Sequence, residues 1–154
     1  MTPLRARGKR YTEREAARHR ISLDLHKRAE YRCEGCGIRD QDASHLDWHH
    51  LGGSRGTGLG LGDWADSLEL AALLCHDDPR NGHVGCHTIA HNDPKGALRY
   101  RLLREAGERL RIRAGNYCTA ESLRAEIDPA DAIRMLVRRL EETGVDPWSV
   151  EWRP

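Results

Sequence analysis

Cys33-x2-Cys36, the adjacent pair His49-His50, Cys75, and Cys86-His87-x3-His91 place thiols and imidazoles within one stretch of the chain. Thiolates favour a closed, structural zinc site, whereas imidazoles suit an exchangeable divalent ion that faces a substrate. The simplest division is two adjacent metal sites of different character. Two residues between Cys33 and Cys36 let both sulfurs point inward around a tetrahedral ion while the backbone turns. Cys75 and Cys86 are candidates to close that site, with the segment between them an expanded knuckle whose ends stay together. His76 and His83 are rivals, since His83-x2-Cys86 restores a compact spacing and would give three thiols and one imidazole. A redox pair is the other reading of Cys33 and Cys36, but no strand-helix context of the thioredoxin kind surrounds them. Cys118, beyond Gly115-Asn116, reads as a core or spare thiol.

The histidines divide in the same spirit. His87 and His91 are four apart, so on a helix their rings share a face and can clasp one ion. His49 and His50 are adjacent, so on an extended segment they point to opposite sides, one free to ligate and the other to face a water. Phosphodiester hydrolysis needs a base that titrates near neutrality and a Lewis acid beside the scissile phosphate. His49, His87 and His91 could hold the cation, with His50 taking the proton. The plainer alternative makes these histidines satisfied polar residues or extra zinc ligands.

The elements that must position these groups are only partly legible. Thr12-x2-Glu15 has the form of a capping box opening a helix through about Arg20, and Leu25 and Ala29 predict a second helical stretch ending near Tyr31. Cys33-x2-Cys36 predicts a turn and Leu46-Asp47-Trp48 a short strand. The glycine-rich run over 52–62 is either mobile or wrapped close to something. Residues 68–74 are apolar enough for a strand or a buried helical turn, and 77–85 form a Pro/Gly/Asn excursion. Leu98, Leu102, Ala106, Leu110 and Arg113 share a helical face that stops at Gly115-Asn116. Asp128-Pro129-Ala130-Asp131 starts another helix, with Ile133, Leu136, Val137 and Leu140 as its stripe and Gly144 as its stop. Trp148 and Trp152 either cover that helix or lie loose.

Composition sets outer bounds. Hydrophobic residues are 38% of the 154, aromatics are 5% and Phe is absent, so the core should be thin and a metal would reinforce it. The formal net charge of +1 hides an asymmetry: basic residues outnumber acidic ones over 1–32, whereas over 40–78 Arg55 is the lone cation among acidic residues. The basic arm points to phosphate attraction and the acidic middle to cation binding, although either also describes a solvated surface. There is no run of apolar residues long enough for a membrane span or a secretory signal, and the thiol spacing suits a reducing compartment, so a cytoplasmic location is expected.

Cys33-x2-Cys36, Leu46-Asp47-Trp48-His49-His50, the glycine-rich link, Leu74-Cys75 and Gly85-Cys86-His87 with His91 resemble the HNH endonuclease family, in its cysteine-containing phage and bacterial form. The resemblance covers roughly 31–91. It implies a small ββα-metal core with a structural zinc knuckle of Cys33, Cys36, Cys75 and Cys86; with the N- and C-terminal helices read above, which lie outside the resemblance and flank that core, the expected fold class is α+β. The corresponding division is a basic, largely helical arm over 1–30, the core over 31–96 and a helical extension over 97–154. His49 and His87 become ligands of a catalytic divalent cation (Mg2+, Mn2+, Ni2+ or Zn2+), His91 an additional ligand found in histidine-rich members, and His50 the general base. The implied partner is DNA, double-stranded; from the charge distribution, Arg55 and the arm residues Arg5, Arg7, Lys9 and Arg10 are expected to contact its phosphates. No membrane partner is implied, while phage packaging or other nucleic-acid-processing proteins are, in a bacterial or phage-infected cell. The alternative is a zinc-dependent nucleic-acid-binding module without cleavage. The chain departs from the family at Leu70, where Asn is usual; Asp66, Ser67, Glu69 and Asn81 are the polar residues that could stand in for it.

Overall fold

The computed structural model describes residues 9–43, 45–53, 58–115 and 127–149. Among these, four α-helices and one two-stranded sheet follow in the order α1 (Lys9–Arg28), β1 (Leu46–His50), β2 (Ala71–Cys75), α2 (Cys86–Asn92), α3 (Ala97–Ala114) and α4 (Pro129–Glu142). The architecture is α+β, a ββα core carrying a cysteine knuckle and flanked by helices on both sides.

The N-terminal segment departs from expectation. Instead of two stretches, the first opening at Thr12, one helix runs without interruption from Lys9 to Arg28. Ala17, Ile21 and Leu25, each no more than 1% exposed, form a single stripe at four-residue spacing. That stripe crosses the expected break, and no Gly or Pro interrupts it, so burial of the stripe outweighs the local capping signal at Thr12. The chain then turns at Glu30 and Tyr31, whose φ values of 52° and 55° are left-handed. Such a conformation costs a non-glycine residue roughly 1–2 kcal/mol, and here it delivers Cys33 to the sheet.

The two strands are antiparallel, with Leu46 opposite Cys75 and His50 opposite Ala71. Alternation along β1 places His45, Asp47 and His49 on one face and Leu46, Trp48 and His50 on the other. Within the segment over 68–74 the strand begins at Ala71, after a turn over 68–70, and β2 is buried at every residue. Helix α2 lies on the His49 side, where His87 meets His49, and α1 lies on the His50 side, where it walls a groove with Trp48 and His50.

Arginines tie the outer helices to this hairpin. Arg28 of α1 donates to Glu34 at 2.9 Å and to the Ala71 carbonyl at 2.8 Å, while Glu34 accepts from Leu73 N at 2.7 Å. From α3, Arg101 donates to the carbonyls of Glu34 and Gly35, both at 2.9 Å, and Arg109 to that of Glu69 at 3.1 Å. Burial pushes the Arg109 guanidinium down to about 10, yet it stays charged at neutral pH. These charge-assisted bonds satisfy carbonyls near strand ends and fix the helices to the hairpin.

The two C-terminal helices follow the sequence pattern. Leu102, Ala106 and Leu110 of α3 are buried against Ile133, Leu136, Val137 and Leu140 of α4. Gly115, at φ 53°, ends α3, and Asp128 caps α4 by accepting from Ala130 N at 2.9 Å. One apolar cluster extends from Ile21 of α1 through both strands to Leu140, with Trp148 packed against it. Arg5, Arg7, Arg55, Cys118 and Trp152 lie outside the described residues, as do the side chains of Lys9 and Arg10. No described helix is long and apolar enough to cross a membrane.

Candidate metal centre

Cys33 and Cys36 sit in the turn after α1, Cys75 ends β2, and Cys86 opens α2. Their sulfurs all lie within 4.8 Å of one another. The Cys36 and Cys75 Sγ atoms are 3.7 Å apart, close to the separation of about 3.8 Å for two sulfurs each 2.3 Å from a tetrahedral zinc. Glu34 N donates to the Leu73 carbonyl at 2.8 Å and pins the turn to the sheet. A Cβ at Gly35 would lie 2.5 Å from Cys86 Sγ and 2.7 Å from Cys86 Cβ, so only glycine lets the turn close over the sulfurs.

The expanded knuckle keeps its ends together. Asp78 and His83 form a bridge across the excursion, and Asp77 accepts from Gly85 N at 2.7 Å. A Cβ at Gly85 would collide with the backbone of Cys75 and His76, so glycine permits the start of α2 to lie against the end of β2. His83, the rival ligand, stands beside the four sulfurs with Nε2 3.4 Å from Cys75 Sγ.

Backbone N–H groups prepare the cluster for negative charge. Those of Gly35 and Cys75 donate to Cys33 Sγ, both at 3.3 Å, and that of Cys86 to Cys75 Sγ at 3.4 Å. Burial raises the Cys33 thiol, but N–H groups of Cys36, Cys75 and Gly35 outweigh it and hold the thiol below its ordinary value. Burial pushes Cys75 up to about 11 and Cys86 higher still, helped by the charge on Cys33. Cys33 is therefore the sulfur that gives up its proton more readily, while Cys75 and Cys86 hold protons that a divalent ion would displace. The residues fit a structural zinc.

His49, His87 and His91 form a separate trio whose donor atoms also lie within 4.8 Å of one another. The ring centroids are 5.1 Å apart for His49 and His87, 4.8 Å for His49 and His91, and 4.7 Å for His87 and His91. Helical spacing on α2 aligns the latter two, and the strand brings His49 across to them. His49 is 2% exposed, and neither ring nitrogen has a hydrogen-bond partner. Leaving such a group unsatisfied costs about 1–3 kcal/mol, and a cation bound at one ring nitrogen would relieve that cost in part. Burial, and then the charges of His91, His87, Arg99 and His50, push His49 down to about 3. Burial likewise lowers His87. Both effects keep the imidazoles in the neutral form that ligates metals.

His50 belongs to the opposite face. Its ring stacks on Trp48 at 4.8 Å, and Nδ1 lies 3.3 Å from the Ala65 carbonyl and 3.5 Å from Asp66 Oδ1. A carbonyl can only accept, so Nδ1 carries the hydrogen and Nε2 is left as the basic nitrogen. His50 also lines an open groove of about 540 Å³ with Trp48, Asp47 and the α1 residues Glu15, Arg18 and His19.

Neither a family model, nor a curated protein, nor a solved structure matches this chain. The two clusters and their surroundings therefore carry the functional reading on their own.

Leu70 is fully buried, and its carbonyl accepts from Leu51 N at 2.9 Å, extending the strand pairing past His50. An apolar side chain stands there because the position is core. Asp66 instead reaches His50; among the residues that could stand in for Asn, it is the one the fold brings into contact with it. Sequence reasoning missed Arg99 of α3, which donates to the Leu51 carbonyl at 3.2 Å and places positive charge near His49. It also missed a third group, His45 with Asp47 and His76. The alternation His45-x-Asp47-x-His49 was its available signal.

Proposed function

We propose that the chain is a metal-dependent endonuclease of the HNH kind that hydrolyses DNA phosphodiester bonds. The observation that carries this reading is the pairing of two adjacent histidines with opposite states: His49 is buried, unpaired and grouped with His87 and His91, while His50 is anchored through Nδ1 with Nε2 left basic. β1 is paired on one edge only among the described residues, so a phosphate at its other edge can meet groups from both faces.

A divalent cation held by His49, His87 and His91 would supply Lewis-acid charge to the scissile phosphate and the departing 3′ oxygen. His50 Nε2 accepts a proton from the attacking water, and the Ala65 carbonyl keeps the ring in the tautomer that allows it. Arg99 adds fixed positive charge beside the trio. Cys33, Cys36, Cys75 and Cys86 would hold a zinc that ties the end of β2 to the start of α2, where His87 and His91 stand against His49. The basic arm, through Arg5, Arg7, Lys9 and Arg10, together with Arg55, attracts phosphates, a sequence-independent contribution to affinity.

Leu70 in the place of the usual Asn favours a second reading, a zinc-dependent nucleic-acid-binding module. Plasmid cleavage with and without divalent ions, compared between wild type and His50→Ala, separates the two. Ion-dependent cleavage that disappears in the variant supports the nuclease; intact DNA binding with no cleavage under Mg2+, Mn2+, Ni2+ or Zn2+ supports the module.

A further inference from the structure

The pairing of Leu46 with Cys75 brings the flanking residues His45 and His76 side by side, and His76 N donates to the His45 carbonyl at 3.2 Å. Their rings stack with centroids 4.1 Å apart and planes 17° from parallel. Asp47, two residues along the same face of β1, places Oδ2 3.4 Å from His76 Nε2. The donor atoms of all three residues lie within 4.8 Å of one another.

We propose that His45, Asp47 and His76 form a second exchangeable site for a first-row divalent transition ion, distinct from the His49, His87 and His91 trio and independent of whether the chain cleaves DNA. Two donors each about 2.1 Å from a tetrahedral ion stand about 3.4 Å apart, the separation already present between Asp47 and His76. Two imidazoles and one carboxylate suit Mn, Fe, Co, Ni or Zn better than Ca or Mg, whose preferred ligands are oxygens. The Asp47 side chain is 57% exposed and that of His76 28%, so the ion would exchange with solvent and keep open positions for water or an anionic ligand.

The trios are neighbours with separate ligands. His87 stacks on His76 at 4.4 Å, with planes 21° apart, while standing edge-on to His49. The stripe His45, Asp47, His49 along one strand face thus feeds two clusters, the first two residues turning to His76 and the third to α2. A lone Asp47–His76 contact would not require His45, whereas the stacked His45 ring brings a third donor within ligand range.

The test counts ions. Full-length protein with its knuckle zinc retained is stripped of loosely held ions with a weak chelator. It is then dialysed against Co2+ and assayed for Co and Zn by elemental analysis, with the visible spectrum of bound Co2+ as a second readout. Wild type should take up two Co2+ per chain beside the retained zinc. His45→Ala and Asp47→Asn should each weaken one equivalent by at least about tenfold and leave the other unchanged, while His91→Ala should weaken the complementary one. His76→Ala serves as a further check, provided its zinc content is normal. Uptake of a single Co2+ by wild type, or two undiminished equivalents in the His45→Ala, Asp47→Asn double variant, would overturn the proposal. Because the readout is binding, a wild type that cleaves DNA but binds one exchangeable ion removes this site without touching the nuclease reading. Two ions without cleavage do the reverse.

Discussion

His50 Nδ1 lies 3.5 Å from Asp66 Oδ1, although the whole of 51–65 separates the two in sequence and Asp66 is almost wholly buried. The same carboxylate is paired with Arg14 of α1, and Arg18 stands 3.6 Å away. Asp66 therefore links the candidate base to the N-terminal helix, and its partners turn it toward His50. Asp66→Leu should lower stability by about 3 kcal/mol, since it strands a largely buried guanidinium. Asp66→Asn keeps the shape and an acceptor; it should be milder in denaturant titration yet lower single-turnover cleavage with little change in DNA affinity. Equal cleavage by wild type and Asp66→Asn would show that Asp66 serves the fold alone.

The adjacent histidines should separate experimentally. His50→Ala should retain the zinc, the fold and affinity for the exchangeable ion while cleavage falls by roughly 10²–10⁴-fold. His49→Ala or His87→Ala should instead weaken ion binding, with partial rescue at high ion concentration. Single-turnover cleavage across a metal titration distinguishes a lowered plateau from a shifted midpoint. Undiminished cleavage by His50→Ala would remove it as the base.

Purified protein should carry about one tightly held zinc per chain, and its removal should unfold the knuckle and loosen α2. Cys33→Ser, Cys86→Ser and Gly35→Ala should all lower zinc content, the last through steric conflict with Cys86 and crowding of Cys33 Sγ. Cys118→Ser should leave zinc content unchanged. Elemental analysis checks each, and full zinc occupancy after loss of both Cys33 and Cys36 would sink the assignment.

Acid should destabilise protein from which the exchangeable ion has been removed. His49 is held down to about 3 in the fold and returns to an ordinary value near 6.5 when unfolded. Between those limits the unfolded chain binds the additional proton, so stability is present above pH 6.5 and falls as pH is lowered toward 3. The His49 contribution to the slope should approach about 1.4 kcal/mol per pH unit. Urea titrations between about pH 7 and pH 5 should show a steeper loss than for a folded His49→Gln variant. The same slope in both would place the acid sensitivity elsewhere.

Removing residues 1–10, with Arg5, Arg7, Lys9 and Arg10, should weaken DNA binding at low salt and flatten its salt dependence. The logarithmic slope should fall by about 0.9 for every phosphate that the shortened chain no longer neutralises. Arg14, Arg18 and Arg28 should contribute less, because Asp66 and Glu34 already engage them. An unchanged salt titration would assign the arm to solvent.

Local rules carried much of the reading. The two-residue spacing of Cys33 and Cys36, the four-residue spacing of His87 and His91, the opposite directions of His49 and His50, and the boundaries of α3 and α4 all depend on backbone repeats, glycine stops and a cap, which act over a few residues. At α1 a local cue misled: the capping box at Thr12 yielded to a stripe from Ala17 to Leu25 whose burial requires the rest of the molecule. Tertiary structure alone decided what depends on register and on long loops. Pairing Leu46 with Cys75 sets His45 beside His76, closing the segment over 51–70 brings Asp66 to His50, and docking α3 brings Arg99 to the strand end. Such contacts join residues far apart in the chain. Their free energy comes from the shared core and from buried arginine bonds, so spacing within the sequence does not encode them.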